Sequence, residues 1–277
     1  MASETSNRTH AERHAAALEV FDGFMAGEVD PERAARAMRR RHGALGSFAV
    51  DVVMGDVWCR PQLSRRDRSL IVITTLATIG STEELLLHTK VGLNHGLTRT
   101  EIEELNLHVA AYAGFPMAMQ ATRVIDEAFR AIDGVERLDE REPSEPKDDD
   151  QRRLDGADVR RSLTGGRAAG DPAADLAAMV DALGHVGQIA YDWAFGDLWS
   201  RPQLSRRDRS LVVITILAVL SKARELAFHV PGGLEHGLTR TEIEEIMVQL
   251  TIYAGLPRAV EGVVAAREAF AKIDRRG

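Results

Sequence analysis

Gly55-Asp-Val-Trp-Cys-Arg-Pro-Gln-Leu-Ser-Arg-Arg-Asp-Arg-Ser-Leu70 returns later in the chain as Gly196-Asp-Leu-Trp-Ser-Arg-Pro-Gln-Leu-Ser-Arg-Arg-Asp-Arg-Ser-Leu211. His95-Gly-Leu-Thr-Arg-Thr-Glu-Ile-Glu-Glu104 returns unchanged as His236 to Glu245. Both pairs lie 141 positions apart, from 55 to 196 and from 95 to 236, so no net insertion separates them. Tyr112-Ala-Gly-x-Pro116 with Tyr253-Ala-Gly-x-Pro257, and Asp30-Pro31 with Asp171-Pro172, keep that offset. The duplication therefore spans nearly the whole chain, 12–133 and 153–274. Solenoid units repeat every 20–50 residues or so; a period this long means two copies of one domain.

Each copy reads as helices. Asp30-Pro31-Glu32 is a start signal, a capping residue followed by proline at the first helical position. Ser64 before Arg65-Arg-Asp67 opens a helix running to about Ile79. Ser81-x-x-Glu84 and Thr98-x-x-Glu101 have the form of capping boxes. Gly96 ends the first of these helices, and the second runs to Gly114. Pro116 begins a last helix that ends near Asp133. Ile102, Leu105, Val109 and Tyr112 follow the spacing of a buried helix face. The Val and Ile near Leu70 also allow a strand there, but the short loops and flanking caps favour helix. The expected fold class is all-α, with copy one over 1–134, a charged linker over 135–154 and copy two over 155–277.

Composition agrees. Hydrophobic residues make up 44% of the 277, enough for a sizeable core, yet aromatics are only 5%, which suits helix-on-helix packing. The net charge of -7 carries no nucleic-acid footprint. The N-terminal residues are polar, and no apolar run approaches the roughly 20 residues of a membrane span. Cys59 is the single cysteine, so neither an internal disulfide nor a CxxC pair is available. A cytoplasmic protein is expected, with no membrane or nucleic-acid partner. Asp148-Asp-Asp150 sits in the charged segment and reads as solvated linker, not as a metal site.

The chemistry-bearing stretch is Glu84-Leu-Leu-Leu-His88, matched by Glu225-Leu-Ala-Phe-His229. Residues four apart share a helix face, so each carboxylate can reach its imidazole, orient it and favour its protonated form. The pair then suits proton transfer at neutral pH, although a buried Glu–His pair that merely satisfies itself has the same pattern. Arg60, Arg68, Arg201 and Arg209 could bind carboxylates through paired hydrogen bonds, or form local pairs with Asp67 and Asp208. Trp58 and Trp199 could line a pocket or fill core. Tyr112 and Tyr253 are better read as packing, and His95 and His236 as helix C-terminal residues.

The ordered string Gly-Asp-x-Trp-x-Arg-Pro-x-Leu-x-Arg-x-x-Arg-Ser-Leu, then Glu-Leu-x-x-His, then Asn94-x-Gly-x-Thr-Arg-x-Glu-Ile and Tyr-x-Gly-x-Pro resembles the carboxymuconolactone decarboxylase family over about 80 residues of each copy. Val159-Arg-Arg-x-Leu163 resembles the family's N-terminal segment. The resemblance implies an all-α fold shared with alkylhydroperoxidase accessory proteins, assembly into trimers or hexamers, and cofactor-free decarboxylation of a carboxylated muconolactone. It implies His88 and His229 as proton shuttles and Glu84 and Glu225 as their orienters. Arg60, Arg68, Arg201 and Arg209 match family arginines, and with Trp58 and Trp199 they are the candidate substrate-binding residues. If single-copy relatives form hexamers, three duplicated chains supply six copies, and a homotrimer is expected.

Departures narrow the reading. The redox branch needs CxxC followed by histidine; here Ser81 and Glu84, or Lys222 and Glu225, hold those positions, so thiol peroxidase chemistry is rejected. Leu86 and Ala227 replace an expected arginine, which weakens the case for a dicarboxylate substrate. Pro231 should distort its helix and so alter the second site. Ser81 and Glu83 become Lys222 and Arg224, reversing the charge at any pocket they border. The leading expectation is a cofactor-independent lyase or isomerase acting on a lactone-like small molecule, most specifically by 4-carboxymuconolactone decarboxylation. The same scaffold also suits ring opening, rearrangement or dehydration of a polyketide-like metabolite, or a non-catalytic ligand-binding or assembly role.

Overall fold

The computed structural model describes residues 7–134, 144–166, 168 and 170–275. Copy one consists of α1 (His10–Met25), α2 (Pro31–His42), α3 (Ala44–Phe48), a π-helical segment Ala49–Trp58, α4 (Arg65–Ile79), α5 (Thr82–Asn94), α6 (Arg99–Tyr112) and α7 (Phe115–Asp133). Copy two repeats the order with α8 (Asp149–Leu163), α9 (Pro172–Leu183), α10 (His185–Ile189), a second π-helical segment Ala190–Trp199, α11 (Arg206–Val219), α12 (Ala223–Glu235), α13 (Arg240–Tyr253) and α14 (Leu256–Asp274). No strand occurs among the described residues. The all-α expectation holds, including at Leu70, which lies inside α4.

Local chemistry sets the boundaries. Ser64 and Ser205 cap α4 and α11 by accepting from the amides of Asp67 and Asp208. Thr98 and Thr239 form full capping boxes with Glu101 and Glu242. Ser81 does not: it is the N-cap of α5 but makes no side-chain cap bond, which leaves Glu84 with no reciprocal partner there. Pro231 lies within α12 without ending it, and α12 has the same 13 residues as α5. α8 begins at Asp149, inside the segment read as a charged linker over 135–154. Residues 135–143 lie outside the described residues, and Asp148 is the N-cap of α8.

The two copies are halves of one core. From Asp67 to Thr78 every residue of α4 is buried, as is every residue of α11 from Asp208 to Val219. A helix buried on all sides must be surrounded by others. Here α4 and α11 pack on each other, α13 of copy two packs on α4, and α6 of copy one packs on α11. The hydroxyls of Thr74, Thr75 and Thr78 turn back to the carbonyls four residues earlier at 2.7, 2.8 and 2.7 Å, so these polar groups are satisfied inside the core.

The repeated Gly-Asp-x-Trp string fixes the outer helices. A Cβ at Gly55 would stand 2.7 Å from the carbonyl oxygen of Arg13, and one at Gly196 2.6 Å from that of Arg152. Only glycine allows α1 and α8 to lie so close on the π-helical segments. Asp56 and Asp197 then accept from Arg13 and Arg152, each at 2.9 Å. The segments end at Trp58 and Trp199, placing both indoles in the core.

Candidate active site

Each site is built from both copies. Trp58, at the end of its π-helical segment, stacks on the His88 ring of α5 with centroids 6.1 Å apart and planes 8° from parallel. Phe24 of α1 meets both rings edge-on. The fourth wall is Tyr253 of α13, from copy two, whose ring stands edge-on to His88 at 5.2 Å. The Trp58 indole N–H donates to the Tyr253 hydroxyl at 2.9 Å, and that hydroxyl lies 3.2 Å from His88 Nε2. The second site repeats the tryptophan stack and the tyrosine from the opposite copy. Trp199 stacks on His229 at 6.0 Å and 14°, and donates to the hydroxyl of Tyr112, from copy one, at 3.0 Å.

Burial controls the protonation of these groups. His88 is 3% exposed and His229 5% exposed. Desolvation, with a smaller push from His95 and His236, lowers their pKa values to about 3. Both imidazoles are therefore neutral near pH 7. His95 and His236, each bonded through Nδ1 to Ser69 or Ser210 at 2.7 Å, fall to about 4, again mainly by burial. They are helix C-caps, as expected, but neutral ones held by serine. Burial also pushes the Tyr112 and Tyr253 hydroxyls well above their ordinary value; for Tyr253 the nearby charge of Glu84 adds to the rise.

The structure does not bring the glutamates into hydrogen bonds with their histidines. Glu84 and Glu225 are exposed at the starts of α5 and α12, and neither is hydrogen-bonded to its histidine. Exposure lets each carboxylate keep its hydration, which a buried imidazole does not compensate. The orienting contact on His88 comes instead from Tyr253. The Nδ1 atoms of His88 and His229 are buried and bonded to no atom among the described residues.

The four arginines lie in ion pairs between the copies. Arg60 holds Glu245 through two bonds of 2.7 and 2.8 Å. Arg68, fully buried, donates to the same carboxylate at 2.7 Å and to Gln249 at 2.8 Å. Reciprocally, Arg201 and Arg209 hold Glu104 at 2.7 and 3.0 Å, and Arg209 reaches His108 at 2.9 Å. The carboxylates that these four arginines grip belong to the opposite copy, and the local pairing with Asp67 and Asp208 is not made. Those aspartates serve Arg207 and Arg66, each across the junction at 2.8 Å.

Sequence reasoning missed Tyr112 and Tyr253. Their signal was the unchanged Tyr-Ala-Gly-x-Pro string, but the partner histidine stands in the other repeat. The sites share one frame and differ at the edge: Ser81, Thr82, Glu83 and Glu84 open α5, whereas Lys222, Ala223, Arg224 and Glu225 stand at the corresponding positions at the start of α12. No group of three or more potential metal ligands occurs among the described residues.

Comparison with known proteins agrees with this twofold plan. The model of the carboxymuconolactone decarboxylase family matches residues 44–127 and 186–268. The chain belongs to the carboxymuconolactone decarboxylase family. Within that family it is 33% identical over 121 residues to 4-carboxymuconolactone decarboxylase of Acinetobacter baylyi, a match covering 44% of this chain and 90% of the relative. It is also 30% identical over 81 residues to nitrosuccinic acid decarboxylase of Metarhizium robertsii, covering 29% of this chain and 57% of that relative. Both relatives are named as decarboxylases, and this chain carries the family domain in tandem.

Proposed function

We propose that this protein is a decarboxylase-like lyase acting on a lactone-like carboxylic acid, with 4-carboxymuconolactone as its most specific candidate substrate. The observation that carries the reading is a neutral, buried imidazole beside a solvent-facing carboxylate, present in both copies of a family whose named relatives release carbon dioxide. Loss of carbon dioxide breaks a carbon–carbon bond and leaves an electron pair. In an unsaturated lactone that pair passes to the ring carbonyl oxygen, and the carbon then takes one proton. The chemistry needs a donor at the oxygen and a proton source at the carbon; no electron acceptor is consumed.

The residues divide this work. An imidazole with a pKa of about 3 is too seldom protonated at neutral pH to act as a general acid. His88 and His229 suit the role of neutral hydrogen-bond donors to the developing oxyanion, in a dry setting where such a donor counts most. Glu84 and Glu225, exposed one helical turn away, suit proton exchange with water and delivery to carbon. Trp58 and Trp199 form apolar walls. The leucines around the histidines keep the site dry, and the single cysteine suits a reducing cytosol.

Incubation with 4-carboxymuconolactone tests the reading by carbon dioxide release. His88→Gln and His229→Gln, made singly and together, should each lower turnover, roughly 100- to 1,000-fold at a working site, in line with loss of one oxyanion donor. Wild-type protein that binds lactone acids but never releases carbon dioxide would make the binding role the correct one. We also propose assembly as a homotrimer.

A further inference from the structure

Three atoms in the first site form a chain whose direction is fixed by chemistry. The Trp58 indole nitrogen can only donate, so the 2.9 Å contact places its proton on the Tyr253 oxygen. Tyr253 has one proton of its own, and its hydrogen-bond partners among the described residues are Trp58 and His88 Nε2, the latter at 3.2 Å. If Nε2 carried the imidazole proton, both neighbours would donate to the phenol oxygen. The phenol proton would then have no acceptor among the described residues, on a partly buried tyrosine whose hydroxyl faces the buried His88 ring. The arrangement that satisfies the phenol has Tyr253 donating to an unprotonated Nε2. A neutral imidazole carries one proton, which must then reside on Nδ1.

We infer that Tyr253, contributed by copy two, is the positioning residue that locks His88 of copy one in its Nδ1–H tautomer and so aims Nδ1–H at the bound ligand. His88 Nδ1 is one of the buried polar atoms left without a partner among the described residues, as is its counterpart His229 Nδ1. It is buried, on a side chain 3% exposed, and bonded to no atom among the described residues. A buried donor without an acceptor is costly, and a ligand oxygen supplies the acceptor it lacks. The identity of that oxygen as a lactone carbonyl rests on the lyase reading above; the tautomer does not. No proton leaves His88: it gives a hydrogen bond, and its charge is unchanged throughout.

The second site lacks the last link. Trp199 donates to Tyr112 at 3.0 Å, but no hydrogen bond joins Tyr112 to His229 among the described residues, although their rings are 5.6 Å apart. His108 lies against Tyr112 with ring centroids 6.3 Å apart and is held by Arg209. Its counterpart in copy two is Gln249, which pairs with Arg68 instead. The lock is therefore complete in the first site and open in the second. The two sites are unequal in preorganisation although both keep the Trp–His–Tyr set.

Long-range proton–nitrogen NMR correlation of the full chain tests this directly, because it separates protonated from unprotonated ring nitrogens. His88→Gln identifies the His88 signals. In the wild type, His88 should show its proton on Nδ1 near neutral pH. Tyr253→Phe, which keeps the ring and deletes the hydroxyl, should return His88 to a mixture weighted to Nε2–H. With 4-carboxymuconolactone, the same variant should lose roughly 10- to 100-fold in kcat with KM little changed, the pattern of a misdirected donor and not of lost packing. A His88 proton found on Nε2 in the wild type overturns the proposal, and that measurement needs no variant to fold. A tautomer unmoved by Tyr253→Phe overturns it too. The Nδ1–H tautomer without any turnover of lactone acids leaves the lock standing and removes the lyase reading; turnover with the other tautomer does the reverse.

Discussion

His88 and His229 bring a consequence for stability that their spacing alone would not suggest. In the unfolded chain each titrates near the ordinary histidine value of about 6.5; in the folded chain burial holds them at about 3. The folded state therefore binds fewer protons between these values. Its full contribution is present above about pH 6.5 and is lost as pH falls toward 3, at up to roughly 1.4 kcal/mol per pH unit for each histidine. Urea unfolding followed from pH 7 to pH 5, above most carboxylate titration, should show the midpoint falling, and His88→Gln should flatten part of that slope. A midpoint constant over this range would mean the two rings are solvated in solution. The four-residue interval showed that glutamate and histidine share a face, but not that one of them is submerged. Depth depends on Trp58, Phe24 and Tyr253 closing over the ring, and Tyr253 lies 165 residues away in sequence. A carboxylate near the chain surface, with water available, has no reason to follow the imidazole inward.

Helix starts and stops were the most legible elements, since a serine, threonine or aspartate cap acts within three residues and needs no tertiary partner. The starts of α4 at Arg65 and α6 at Arg99 were readable for that reason. The π-helical segments Ala49–Trp58 and Ala190–Trp199 were not, because their apolar residues give no period that distinguishes a wider turn. The glycine in each belongs to packing with α1 or α8, a contact that no local pattern records. Gly55→Ala would force its methyl group toward the Arg13 carbonyl, now 2.7 Å from the ideal Cβ position. Backbone on both sides prevents an easy escape, so overpacking of about 1–3 kcal/mol is expected. Thermal unfolding should show the loss, with Ala17→Gly, which removes a buried methyl nearby in α1, as a check on simple helix weakening. If Gly55→Ala is neutral, the close approach of α1 is not a fixed feature. The same displacement would move Trp58, so a change in its stacking on His88 should accompany the loss.

At the scale of the molecule, duplication made two copies legible but not their dependence on each other, because identical repeats look equally self-sufficient. Glu245 links them, accepting from Arg60 and the fully buried Arg68 of the other copy. Glu245→Ala would leave the Arg68 guanidinium buried without its carboxylate and should cost about 3–5 kcal/mol, read from urea unfolding; a loss below about 1 kcal/mol would show that the junction ion pairs are incidental. The outer surface points to a further level of assembly. Phe115, 59% exposed, stacks on Trp193 of the other copy at 5.5 Å, and Ile189 and Met119, one helical turn away on either side, are 61% and 51% exposed. The repeat places Phe48, Val52, Leu256 and Val260 at the matching positions, with Phe48, Leu256 and Val260 more than half exposed. Single exposed apolar side chains are ordinary, but two like strips related by an internal repeat are what a closed ring of chains would use. If single-copy relatives are hexamers, three of these chains complete the ring, and light scattering should give three times the 30.4 kDa chain mass. Phe48→Glu with Ile189→Glu, one charge in each strip, should reduce that mass to a single chain while the Nδ1–H signal of His88 persists, since every atom of its lock lies within one chain. A wild-type mass of one chain would show that the strips face solvent.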